Sequence, residues 1–109
     1  MFVRQDFPKD NLAQQIVQSN HATFEMAKRL TNYGEIPSLV LIGTPDKTTL
    51  EAIAERLQRY GIDYEAFYES DNGTGLSAIA TYPITKNKQR HALGMYRLWT
   101  AQEASYATV

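Results

Sequence analysis

The sequence predicts an α/β domain built on a mixed sheet with helices on both faces. Three observations predict it. Apolar segments of strand length alternate with helix-periodic segments in the order strand, helix, strand, helix, strand, strand, helix. Leu39-Val40-Leu41-Ile42 is an unbroken apolar run, as expected of an interior strand covered on both faces. Two alternating segments, Ile62–Glu69 and Leu76–Tyr82, flank a glycine-containing loop and read as a hairpin.

The first strand is Phe2 to Asp6. Phe2, Arg4 and Asp6 point one way, Val3, Gln5 and Phe7 the other. Pro8 cannot donate to a sheet ladder and closes the strand. Asp10 or Asn11 can cap the helix that follows, which runs to about Leu30. Leu12, Ala13, Ile16, Val17, Phe24, Ala27 and Leu30 fall within roughly 140° of arc and are its expected buried face. Asn20 lies within that arc and is expected to be a buried amide bonded to backbone. Gln14, Gln18, His21 and Glu25 form an opposing polar stripe with no lysine. Asn32 or Gly34 can take the left-handed conformation that ends the helix.

The run Leu39–Ile42 is expected at the centre of the sheet, nearly free of solvent. Thr44-Pro45-Asp46 reads as a helix start: cap, proline in the first helical position, and carboxylate on the positive dipole end. Leu50, Ile53, Ala54 and Leu57 mark that helix's buried stripe, and Gly61 stops it. Tyr64, Ala66 and Tyr68 alternate with Glu65, Phe67 and Glu69 in the next strand. Ser70-Asp71-Asn72-Gly73-Thr74-Gly75 is dense in turn residues. It is too short for a phosphate-binding loop, and no helix follows it. Pro83 closes the last strand. Ala92, Met95, Tyr96 and Trp99 then recur at helical spacing, and Thr100 to Val109 shows no periodicity. One domain over residues 1–99 and a loose tail over 100–109 follow from this pattern.

Composition narrows the function classes. The sequence has no cysteine, which excludes disulfides and thiolate metal sites. Its two histidines, His21 and His91, are too few to suggest a structural zinc site. A net charge of −1 argues against binding nucleic acid by bulk charge, leaving only a local basic patch. No apolar run has the length of a signal peptide or of a membrane span. The expected location is therefore the cytoplasm, with no membrane partner.

A family resemblance adds to this reading. Phe2-Val3-Arg4-Gln5-Asp6-Phe7, then Ala13, then Gln18-Ser19-Asn20-His21-Ala22, resembles the opening of the type 2 peptidyl-tRNA hydrolases. Those proteins open with a strand ending in arginine, one residue, aspartate, leucine; a helix with alanines, glutamine, two residues, histidine, alanine follows. The likeness extends in order through Ser77–Pro83 and Arg97-Leu98-Trp99, covering roughly residues 1–99. It implies a three-layer α/β/α sandwich on a four-stranded mixed sheet. It implies hydrolysis of the ester between peptide and tRNA without metal or organic cofactor, and a homodimer formed through hydrophobic residues of the sheet or last helix. The catalytic residues it points to are Gln18, His21, Asp71 and Ser77, with Lys9 in the nearby turn as the candidate substitute for the family's lysine. Lys9 or a first-turn amide would serve the oxyanion and Asp71 would orient the water. Lys86, Lys88 and Arg90 would hold phosphates of the tRNA. Gln14 stands where the family carries a lysine, and Glu69–Gly75 is shorter and rearranged relative to its hairpin. The alternative is a catalytically inactive relative that serves as a tRNA- or RNA-binding or protein-interaction module.

Each of these residues also has an ordinary structural role. His21 suits a hydrogen-bonded helix position, and histidine is also a residue type that serves proton transfer. Asp71 is a natural turn former. Lys86, Lys88 and Arg90 suit a solvated surface, and Met95, Tyr96 and Trp99 a core.

Overall fold

The computed structural model describes residues 1–30, 39–70 and 73–100. The elements run β1 (Phe2–Arg4), α1 (Asn11–Ala27), β2 (Ile42–Thr44), α2 (Lys47–Arg59), β3 (Tyr64–Glu69), β4 (Gly75–Thr81) and α3 (Asn87–Leu93). They form an α/β domain with a four-stranded mixed sheet in the order β2-β1-β4-β3. β1 and β2 are parallel; β4 runs antiparallel to both β1 and β3.

Alternation along β1 separates two cores. Phe2 packs with Leu50, Ile53 and Leu57 of α2 and with Ile79 of β4. Val3 packs with Ala22 and Met26 of α1 and with Ala78 and Ala80 of β4. α1 and α2 therefore cover opposite faces. α2 forms as its sequence dictates: Leu50, Ile53 and Leu57 are buried at helical spacing, and Asp46 accepts from the Thr49 amide at 2.8 Å. The cap is thus Asp46 and not Thr44, which ends β2 and donates its hydroxyl to the Val3 carbonyl. β3 and β4 form the predicted hairpin, with a bulge between Phe67 and Tyr68 that leaves Tyr68 exposed.

Further expectations are corrected, among them the core placement of Met95, which is 67% exposed. Leu39–Ile42 is not the central strand. β2 begins only at Ile42 and lies on the edge, and Leu39, Val40 and Leu41 are 74%, 50% and 37% exposed. The centre belongs to β1 and β4, because β4 pairs on both its edges and Leu76 to Ala80 are all buried.

The faces of α1 are also exchanged. Gln15, Gln18, Ala22 and Met26 face the sheet, while Leu12, Ile16, Val17 and Phe24 face outward. Asn20 is exposed with them. The inner face works because Gln15 and Gln18 find hydrogen-bond partners and Ala22 allows close approach.

The last helix, finally, stops at Leu93, and Gly94 ends it. The chain then wraps the β2 edge. Tyr96 meets the Phe2 ring edge-on at 5.6 Å, Leu98 bridges Ile42, and the Trp99 amide donates to the Leu41 carbonyl at 2.7 Å. Beyond that edge the Trp99 indole donates to Gln15 Oε1 at 2.6 Å. This strap covers an otherwise open strand edge.

Candidate functional site

β1, β2 and β3 share one direction, so their carboxyl ends lie together. After β1 the chain leaves toward α1 on one face; after β2 it leaves toward α2 on the other. Adjacent parallel strands whose connections diverge in this way open a crevice, the usual ligand position in open α/β sheets. The start of β4 and the end of β3 complete the same rim.

Arg4 closes the floor. It is 9% exposed, pairs with Asp6, and donates to the carbonyls of Thr74 at 2.7 Å and Leu76 at 3.3 Å. Its guanidinium also lies 5.2 Å over the Phe7 ring. Arg4 and Asp6 thus fix the hairpin onto the end of β1. Asn11 shapes the next turn: its side chain accepts from the Phe7 amide and donates to the Gln5 carbonyl, both at 3.0 Å. Asp10 adopts a left-handed conformation at φ 51° and makes no side-chain cap bond to α1. Lys9 is exposed in this turn, at the crevice end of the fold.

From the α1 side comes Gln18, which is 2% exposed. Its amide nitrogen donates to Gln14 Oε1 at 3.0 Å and to Glu69 Oε2 at 3.1 Å. Two oxygen acceptors around the nitrogen fix the orientation of the amide, because the flipped form would set oxygen against oxygen. Gln18 Oε1 is left as a buried acceptor without a partner among the described residues. Such an atom costs about 1–3 kcal/mol unless a donor reaches it.

From the α2 side comes Lys47, which the sequence reading missed. A Cβ placed on Gly75 would lie 3.2 Å from Lys47 Cδ and 3.6 Å from its ammonium, and Gly75 holds φ +73°. The left-handed backbone favours glycine, and a Cβ there would press on the lysine stem. Glu69 stands opposite Gly75 in the hairpin register. Lys47 and Glu69 therefore flank Gly75 at the rim, the latter turned toward Gln18 on the α1 face. Lys47 is the first residue of α2, where a cation opposes the helix dipole by about 0.3–1 kcal/mol. A lysine directly after a strand and a helix cap was the available signal. Asp46 beside it is held below the usual carboxylate range, first by the Thr49 amide and, less strongly, by Arg4.

Ser77 is fully buried inside β4 and donates its hydroxyl to the Gly75 carbonyl at 2.9 Å. His21 is exposed on the third turn of α1, its ring stacked 4.5 Å from Phe67. It lines a shallow depression with Val17, Asn20 and Phe24. Asp71 lies outside the described residues. Lys86, just before α3, and Lys88 and Arg90 on it are exposed. Gln89 beside them reaches the Tyr60 and Gly61 carbonyls, at the end of α2 opposite Lys47. The length of α2 sets this basic group about 20 Å from the crevice. The structure thus brings Lys9 and Gln18 to one end of the sheet, sets His21 one helical turn beyond Gln18, and leaves the α3 cations apart.

Among the described residues no group of three or more His, Asp or Glu side chains is placed to hold a metal ion. No described helix is long and apolar enough to cross a membrane. No protein-family model, curated protein or solved structure matches the chain.

Proposed function

We propose that the domain is a divergent relative of the type 2 peptidyl-tRNA hydrolases and cleaves the ester between a peptide and tRNA in the crevice at the carboxyl ends of β1 and β2. The observation that carries this reading is the rim around Gly75. There a lysine from the α2 side and a carboxylate on the α1 side, the latter bonded to a buried glutamine, flank one glycine at the end that holds the Arg4/Asp6 motif.

The chemistry asks little more. A water polarised by the Glu69 carboxylate attacks the ester carbonyl, and its proton passes through that carboxylate to the departing ribose oxygen. The carbon–oxygen bond to the ribose breaks as the bond to water forms. The Lys47 ammonium, joined by Lys9 and the first-turn amides of α2, stabilises the oxyanion. Lys47 thereby takes the role of the cation that the resembling family carries where this chain has Gln14. Lys86, Lys88 and Arg90, about 20 Å away by the length of α2, hold phosphates of the tRNA body and not the ester.

The test is single-turnover hydrolysis of purified peptidyl-tRNA by wild type, Lys47→Ala and Lys88→Glu. Lys47→Ala is expected to slow release about 100-fold or more with an unchanged melting temperature. Lys88→Glu should weaken tRNA binding, more at low than at high salt, and leave the bound-state rate intact. Equal rates for wild type and Lys47→Ala would remove the assigned role. A second reading is a non-catalytic tRNA-binding or protein-interaction module, the latter form favoured by the outward apolar face of α1. Salt-dependent tRNA binding without turnover would select its RNA-binding form.

A further inference from the structure

α1 carries its apolar residues on the side directly opposite the sheet. At about 100° per residue, Ala13, Ile16, Val17, Asn20, Phe24 and Ala27 form one stripe, while Ala22 and the two buried glutamines face inward. Ile16, Val17 and Phe24 are 57%, 44% and 71% exposed. Glu25 is the one formally charged residue among the 17 of α1, and it lies off the stripe. An average solvent-facing helix of this length would carry about four. The core does not require this face, because the sheet side is already filled. A contiguous apolar, uncharged helix face of this kind marks an interface.

We infer that this face of α1 is a homodimer interface, formed by two copies packed antiparallel about a two-fold axis at Asn20. The pattern is self-complementary. Centred on Asn20, it sets Ala13 against Ala27 of the second copy and Ile16 against its Phe24. The alanines at both ends allow close helix approach, and a large residue meets a branched one between them. Asn20 meets Asn20, and an amide donates and accepts equally, so the pair satisfies itself on the axis. A polar residue at such a position fixes register at some cost in affinity. Antiparallel alignment also opposes the two helix dipoles. An uncharged stripe offers nothing to a charged partner, whereas against its own copy it leaves no charge unpaired. This surface differs from the sheet or last-helix contact that the sequence suggested, and it stands or falls independently of the hydrolase reading.

The chain has no cysteine, so an engineered one reports position without interference. Sedimentation equilibrium on wild type should show dimer at concentrations on the order of tens of micromolar, since a single helix seam lies at the small end of stable interfaces. Phe24→Asp should be monomeric, and its melt should match that of wild type at concentrations too low for dimer, because Phe24 is exposed. Oxidised Asn20→Cys should run as a disulfide-linked dimer, and Ala52→Cys, exposed on α2, should not. Wild type remaining monomeric at about 100 µM would overturn the inference, whether the face is then covered by the chain itself or by another protein. A dimer that persists in Phe24→Asp, or that leaves Asn20→Cys unlinked, would overturn it equally.

Discussion

Gln18 and Glu69 stand 3.1 Å apart, amide to carboxylate, and join the second turn of α1 to the last residue of β3. Gln18 is almost fully buried, so the contact is neither screened nor easily replaced by water. Gln18→Glu would set two carboxylates against each other. Its destabilisation at pH 7 is expected at about 1–3 kcal/mol. The pair's folded pKa values rise above the unfolded ones, so the missing stability returns as pH falls toward the unfolded values. Denaturant melts at pH 7 and pH 5 should show a smaller gap from wild type at pH 5. An equal gap at both would show that charge repulsion is not the cause.

The position of the core gives a second prediction. Leu50 is fully buried beneath the sheet, whereas Leu41 is 37% exposed ahead of β2. Leu50→Ala should cost about 2–5 kcal/mol and Leu41→Ala less than about 1 kcal/mol. Urea midpoints of the two variants should therefore differ clearly. Similar values would place Leu41 in the core after all.

Asp46 links α2 to pH. Its folded pKa lies below the ordinary 3.8, chiefly through the Thr49 amide. Its contribution is thus present above the unfolded pKa and is lost as pH falls through the folded one. Asp46→Asn keeps an acceptor for the Thr49 amide and removes the ionisation. Thermal melts between pH 5 and pH 2 should fall less steeply for Asp46→Asn than for wild type. Parallel curves would show that the cap carries no proton linkage.

The strap around β2 gives the fourth. Trp99 is the one tryptophan, and its indole donates to Gln15 while its backbone amide donates to Leu41. Trp99→Phe keeps the backbone bond and the ring but loses the indole donor. Gln15 Oε1 retains the Gln5 amide at 3.2 Å, so the expected cost is modest, about 0.5–1.5 kcal/mol. A urea melt followed by far-ultraviolet circular dichroism measures it. Unchanged stability would mean that the strap does not depend on this bond.

What the sequence revealed depended on whether the deciding contact was local. α2 was readable because its buried stripe, first-turn carboxylate and stop glycine lie within one segment, although the cap proved to be Asp46. The β3–β4 hairpin was readable for the same reason. α1 was misread because periodicity reveals that two faces differ, not which one meets the sheet. Its inner face is held by Gln15 and Gln18, whose partners Gln5, Glu69 and Trp99 come from β1, β3 and the strap. Leu39–Ile42 was misread because strand order is a long-range property, and β4 occupies the place beside β1. Of the proposed site, Arg4, Asp6 and Gln18 belong to the resembling motif, and Lys9 was singled out from the turn beside it. Lys47 was not, since its approach to Gly75 joins the start of α2 to the start of β4.

The central claim is turnover at the rim of Gly75. The most direct measurement is release of peptide from peptidyl-tRNA by the purified wild-type protein, followed in parallel with Lys47→Ala at equal fold stability. The account predicts wild-type release well above the spontaneous rate and a loss of about 100-fold or more in Lys47→Ala. Wild-type release no faster than spontaneous hydrolysis would contradict it.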